Sequence, residues 1–371
     1  MTRLRILADD LTGALDCAAA FGAGVTVHLG QPRGDGGAAV EACATGTRDV
    51  PLAQLPGLLA SALPWLRGAD LAFKKVDSLL RGNTFAEIDW LARAGGFGGI
   101  VMAPAFPAQA RRTRGGQQWW QPPEAGAAPR AVAIEAPLAA LGWTVVRGKK
   151  LPPPGERLAW LPDAEDDAAL DAIATQAQAR GGWLCCGSAG LAHALRRVGG
   201  FAAADDAGGA VDPALLLLSA SHHAVSRQQW QLLHASRWAA RCLDGANPAV
   251  LTADALAAGG TPYPRLIELS PPHALSPAQA EALLHAQAQA IARAAPRPGV
   301  LAVVGGDTLL ALCEALGASG LRSGVPLART GWGCARLVGG RWDGVVCHTR
   351  SGAFGGPRDL LEVVETLAVA R

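Results

Sequence analysis

The run Leu4-Arg5-Ile6-Leu7-Ala8-Asp9-Asp10-Leu11-Thr12-Gly13-Ala14-Leu15-Asp16 decides the fold class. A short apolar stretch, Leu4–Ala8, stops on two carboxylates, and Thr12–Phe21 then continues Ala-rich with helical spacing. A buried strand that hands over directly to a helix is the opening of a parallel crossover unit. The pattern returns at Leu301–Val304 ahead of Leu309–Leu316. The reading is α/β, with mostly parallel sheets flanked by helices.

Working outward, 371 residues exceed what one hydrophobic core usually serves, so two domains are expected. The stretch from Gly199 to Pro213 lacks periodicity and is rich in Gly and Asp, which places the boundary there: residues 1–205 and 206–371. Gln109 to Arg130, with Arg111, Arg112, Arg114 and the Trp119-Trp120 pair, reads as a long surface loop. Half the residues are hydrophobic and 17% are charged, enough to fill large cores. A net charge of +2 leaves no polyanion footprint and argues against nucleic acid. The 8 cysteines form no C-x-x-C pair, so neither a zinc site nor a disulfide framework is expected. Carboxylates interrupt the N-terminal apolar stretch before signal-peptide length, and no apolar run reaches the ~18 residues of a membrane span. A soluble, cytoplasmic protein is expected.

Three motifs carry chemistry. Asp9, Asp10, Thr12 and Asp16 gather where a strand meets a helix, the edge at which α/β sheets bind ligands. They could hold sugar hydroxyls, accept a proton or ligate Mg²⁺; one Asp acting as N-cap leaves the others unexplained. Phe73-Lys74-Lys75-Val76-Asp77-Ser78-Leu79-Leu80-Arg81-Gly82-Asn83, followed by Glu87, crowds cations and polar groups after another apolar strand and suits a small anion. A solvated charge cluster is the alternative. Gly305-Gly306-Asp307-Thr308 opens a helix after Val303-Val304, where glycines and free amides could admit a phosphate; an ordinary strand-to-helix turn with an N-cap is the alternative. Ser219-Ala220-Ser221, Gly187-Ser188-Ala189-Gly190 and Arg350-Ser351-Gly352 likewise follow strands. No P-loop, dinucleotide fingerprint, nucleophile elbow or H-E-x-x-H motif occurs.

Taken together, Ala-Asp-Asp-Leu-Thr-Gly-Ala-Leu-Asp at 8–16, Lys-Lys-Val-Asp-Ser-Leu-Leu-Arg-Gly-Asn at 74–83, Pro-Ala-Phe-Pro at 104–107 and the later Gly- and Ser-rich motifs, in that order, resemble the four-carbon acid sugar kinases over nearly the whole chain. The resemblance implies an ATP-dependent phosphotransferase with an alcohol acceptor. It would act on the terminal hydroxyl of a 3-oxo-tetronate, threonate or erythronate, with the active site in an interdomain cleft. It implies an acid-sugar pocket of Asp9, Asp10, Thr12, Asp16, Lys74, Lys75, Asp77, Ser78 and Arg81. ATP would contact Ser219 or Ser221, Gly305, Gly306, Asp307, Thr308 and Gly352, with Mg²⁺ expected and its ligands unassigned. Leu218, Arg350 and Ala353 stand where the family carries Gly, Lys and Asn.

On this reading an Asp of the 9/10 pair or Asp77 deprotonates the hydroxyl, while Arg81 with Lys74 or Lys75 anchors the carboxylate or the transferring phosphoryl. Domain closure about the Gly199–Pro213 linker is expected, and a homodimer is a reasonable prior. The main rival is a non-catalytic sugar-acid sensor with a degenerate nucleotide site; an NAD-dependent oxidoreductase is disfavoured by the missing fingerprint.

Overall fold

The computed structural model describes residues 2–33, 37–122, 127–201, 212–257, 263–325, 327 and 331–368. The chain separates into two compact units, Met1–Ala204 and Asp205–Arg371. Residues 202–211, the greater part of the stretch read as boundary and hinge, lie outside the described residues.

In the N-terminal unit the strands are β1 (Leu4–Ala8), β2 (Thr26–Leu29), β3 (Val40–Ala44), β4 (Leu71–Lys75), β5 (Ile100–Ala103), β6 (Arg111–Arg114), β7 (Gln117–Trp120), β8 (Arg130–Ala133), β9 (Thr144–Val146), β10 (Leu158–Trp160) and β11 (Leu184–Gly187). The main sheet runs β2-β3-β1-β4-β11-β5-β10-β9, with every neighbouring pair parallel. All five residues of β1 are buried, as a strand covered on both faces requires. Leu7, Ala72, Met102 and Cys186 share one core with residues of the helices Leu55–Ala60, Leu63–Arg67 and Thr84–Gly95. Period-2 alternation turns Ile6, Phe73, Val101 and Cys185 to the other face.

Register places the motifs. Ala8 pairs with Ala44 and Lys75, Lys75 with Gly187, and Gly187 with Ala103. The chain segments beginning Thr45, Asp9, Val76, Pro104 and Ser188 therefore all leave the sheet at the same edge.

The segment read as a long surface loop is instead a three-stranded antiparallel sheet, β6-β7-β8. Gly115 and Gly116, with φ of +60° and +76°, make the tight turn between β6 and β7, a conformation that side-chain-bearing residues resist. The Gly-Gly between two short runs was the available clue. The runs themselves are polar, and Gln118 and Thr113 rather than apolar residues point inward: both are fully buried, and Thr113 Oγ1 donates to Gln118 Oε1 at 2.8 Å.

The C-terminal unit contains β12 (Leu215–Ser219), β13 (Cys242–Asp244), β14 (Arg265–Glu268), β15 (Val300–Val304), β16 (Gly320–Ser323), β17 (Gly333–Val338) and β18 (Val346–Arg350), in the order β13-β14-β12-β15-β18-β17-β16. The first five are parallel, and β17 is antiparallel to both its neighbours. Leu215, Leu217, Val300, Ala302 and Val304 pack with Trp230, Leu360 and Val364 from the helices Ala224–His234 and Asp359–Leu367. Ser219, Val304 and Arg350 lie in one row, so the glycine- and serine-bearing turns share this sheet's edge too.

His348 in β18 is buried with Nδ1 lacking a hydrogen-bond partner, and burial pushes its pKa down to about 4. Unfolded, it titrates near ~6.5 and takes up a proton that the folded ring refuses. Its contribution to stability is thus complete above ~6.5 and falls as pH drops towards 4. Denaturant midpoints of wild type and His348→Leu near neutrality and at about pH 5 should show the variant losing less on acidification; equal losses would remove His348 as a source of acid lability.

Candidate active site

The N-terminal site is organised by a residue outside both motifs. Arg48, on the segment after β3, donates through Nε to Asp9 Oδ2 at 2.7 Å and through Nη2 to Asp9 Oδ1 at 3.2 Å. Its Nη1 donates to Asp10 Oδ2 at 3.0 Å, and Nη2 lies 2.8 Å from Asp10 Oδ1 and 3.9 Å from Asp77 Oδ2. One guanidinium therefore joins three carboxylates from two strand ends. The segment carrying it is tied down: Asn83 Nδ2 donates to Thr47 O at 2.9 Å and to Val50 O at 2.8 Å, and Thr47 N donates to Asp9 O at 3.0 Å. At Gly82, with φ of +70°, a side chain would run into Arg48. Sequence reasoning passed over Thr45-Gly46-Thr47-Arg48, although it leaves β3 at the same edge as Asp9.

Asp10 is also the N-cap of the helix Leu11–Ala20, accepting from Gly13 N at 3.0 Å. Asp77 accepts from Leu79 N at 2.9 Å, and from Arg81 through N at 3.3 Å, Nε at 3.0 Å and Nη2 at 2.6 Å. Burial works against the charge of both Asp9 and Asp77. At Asp9 it is outweighed by Lys74, Lys75 and Arg48, and at Asp77 by Arg81, Arg48 and Lys75, so both carboxyls sit below the usual carboxylate range. Arg81, whose side chain is largely exposed, is thus committed to Asp77. Asp16 is open to solvent on the second turn of its helix, and Thr12 is half-buried on the first.

The adjacent lysines part company. Lys74 Nζ lies 2.6 Å from Glu87 Oε2, both fully buried, with no hydrogen-bond partner for either group among the described residues. Lys75, one residue on and so on the other face of β4, packs its Nζ against Gly13 beside Asp10. Burial disfavours its charge, but Asp10 and Asp9 more than compensate and raise its pKa. Ser78 meets the hairpin: Arg111 Nη1 donates to its Oγ, and Gln118 Nε2 donates to Ser78 O at 2.9 Å and Pro104 O at 3.1 Å. Asp9, Asp10, Lys75, Asp77, Ser78 and Arg81 are therefore brought together, joined by Arg48 and Arg111, while Lys74 is turned into the core.

In the C-terminal unit, Gly305 adopts a φ of +113°, its N donates to Arg350 O at 2.8 Å, and it leads into the helix Gly306–Leu316. That first turn is made by Gly306, Asp307 and Thr308. Ser219 is fully buried and Ser221 half-buried. At Gly352 a Cβ would collide with Ser221 Oγ, and Gly352 O accepts from Ser226 Oγ at 2.7 Å, so the two serine- and glycine-bearing turns touch. Arg350 is not offered to a ligand: buried, it donates to Ser351 O at 3.0 Å, to Phe354 O at 2.5 Å and to Gln229 Oε1, lies 3.2 Å from Asp359 Oδ2, and stacks 5.1 Å from the centre of Trp332. Among the described residues no group of three or more His, Cys, Asp or Glu is placed to hold a metal ion, and no helix is long and apolar enough to cross a membrane.

Residues 4–139 match the family model described as "Sugar-binding N-terminal domain". A Bordetella bronchiseptica protein named D-threonate kinase is 31% identical over 409 aligned positions, covering 99% of this chain and 98% of that protein. A second D-threonate kinase, from Cupriavidus necator, is 37% identical over 118 positions, 30% of this chain and 28% of its own. A crystal structure of a Haemophilus influenzae protein shares the fold, with a TM-score of 0.69 at 18% identity, covering 98% of this chain and 100% of that one.

Two substitutions test the geometry. Arg48→Gln strands three carboxylates together and should lower stability by about 3–5 kcal/mol near neutrality. Because Asp9 and Asp77 have depressed pKa values, the stabilisation from Arg48 exists above their unfolded values near ~3.9 and is lost as pH falls through the folded ones, so the deficit should shrink in acid. Denaturation curves that overlay at neutral pH would refute the bridging role. Gly13→Ala should gain up to ~1 kcal/mol of helix propensity yet displace Lys75 and Asp10. Scanning calorimetry should find a melting temperature little changed, the displacement offsetting the gain; a rise matching the full propensity increment would show that this lysine can move aside freely.

Proposed function

The chain belongs to the four-carbon acid sugar kinase family, and from that premise we propose that it transfers the γ-phosphoryl group of ATP to the terminal hydroxyl of a four-carbon sugar acid of the threonate class. The observation that carries this reading is the cluster of Asp9, Asp10, Asp77, Lys75 and Arg48 at one sheet edge, in a chain aligned end to end with a protein named D-threonate kinase.

Phosphoryl transfer asks for placement and charge neutralisation more than for covalent participation by the protein. Asp10 is the best placed of the three clustered carboxylates to take the hydroxyl proton. Its side chain is 18% exposed, against 3% for Asp9 and 7% for Asp77. All three accept hydrogen bonds, Asp10 from Arg48 and Gly13 N, but Asp9 and Asp77 are the more buried, so those two act as fixed anions that orient their cations. Lys75, beside Asp10, would offset negative charge on the reacting oxygens, and exposed Asp16 and half-buried Thr12 would hold sugar hydroxyls.

ATP, with Mg²⁺, would supply the γ-phosphoryl group, with ADP as the leaving group. The C-terminal unit fits its phosphates: the Gly305 conformation and the crowding at Gly352 both exclude side chains where backbone must come close, and the helix start at Gly306, Asp307 and Thr308 favours an anion. Ser219, Ser221 and Gly352 would line the same edge.

The test is ADP release with Mg²⁺ across threonate, erythronate and 3-oxo-tetronate isomers. One acid should be turned over, and Asp10→Asn should lower kcat by about 10²- to 10⁴-fold with a smaller effect on KM. Acid binding without nucleotide binding would favour the sensor instead; unchanged turnover in Asp10→Asn would move the base elsewhere.

A further inference from the structure

The N-terminal site must receive an anion, the carboxylate of the acid, in a place already crowded with charge. Ion pairing decides which cation is open to it. Arg48 is engaged by Asp9 and Asp10, Arg81 by Asp77 and Lys74 by Glu87. Among the described residues, Arg111 and Lys75 are the cations of this group that no carboxylate approaches within ion-pair distance. They are not equivalent. The field of Asp10 and Asp9 stabilises the Lys75 charge beyond the cost of its burial, whereas at Arg111 burial outweighs the help of Asp77 and Asp16. A guanidinium stays charged regardless, so an arriving anion relieves the deficit.

Arg111 is also held still. It begins β6 and exchanges backbone hydrogen bonds with Phe106 at 2.8 and 3.1 Å, and the hairpin is pinned by Gln118 to Ser78 O and Pro104 O. Ser78 Oγ accepts from Nη1, fixing the plane of the guanidinium and leaving its other N–H groups to donate in parallel, the arrangement a carboxylate matches.

We propose that Arg111, oriented by Ser78, receives the carboxylate of the sugar acid and makes the protein select acids over the corresponding neutral polyols; this rests on the kinase reading above. Arg81, expected with Lys74 or Lys75 to anchor the carboxylate or the transferring phosphoryl, is already paired with Asp77.

Calorimetry with D-threonate and with threitol, which lacks the carboxylate, tests this on wild type, Arg111→Gln and Arg111→Lys. Arg111→Gln should weaken threonate binding by about 10- to 100-fold and leave threitol binding unchanged, abolishing the preference for the acid. Arg111→Lys should recover only part of it and serves as the readout if the glutamine variant does not fold. General damage would weaken both ligands alike, and that result, or an intact preference in both variants, overturns the proposal while leaving the kinase reading in place. Arg111-dependent threonate binding without phosphoryl transfer would uphold the proposal and remove the kinase reading; a wild-type protein that binds no acid removes both.

Discussion

Three carboxylates brought to one sheet edge would repel one another, and Arg48, aided by Lys74, Lys75 and Arg81, offsets that repulsion. Arg48 neutralises Asp9 and Asp10 directly and approaches Asp77 at 3.9 Å, so the ends of β1 and β4 can converge. A buried ion cluster contributes little net stability compared with an apolar core, but removing its central cation leaves uncompensated charge. Its role here is spatial: it holds Asp10, the helix cap, beside Asp9 and Asp77, on a segment after β3 that Asn83 ties down.

Strand alternation then divides labour between neighbouring residues. Lys74 and Lys75 are chemically the same, yet one is sealed against Glu87 in the core and the other faces Gly13 and the carboxylates. The small-residue requirement at Gly13 follows from that lysine, since the helix start and the cation occupy the space a Cβ would take.

Much of this was legible beforehand. The strand-to-helix handover after Ala8 and the turn after Val304 are local patterns, and their elements appear where apolar periodicity places them. What escaped notice depends on contacts distant in sequence. Arg48 gains meaning only from pairing with residues 38 and 39 positions away, and Arg111 only from a hairpin whose buried residues are Thr and Gln. Pairing also distinguishes residues that composition treats alike: Lys74 and Arg81 share the charge of Lys75 and Arg111 but are already engaged.

The Arg350 side chain has a consequence for the conformational freedom of the turn that follows it. Its bonds to Ser351 O, Phe354 O, Gln229 and Asp359, with Gln229 Nε2 in turn reaching Gly356 O at 2.8 Å, shape the 351–356 turn from the protein's own interior. A turn already frozen has little conformational entropy left to surrender when it is occupied, so contacts made there register more fully as affinity. A lysine at this position, a point charge without the planar fork, could not splint the turn in the same way.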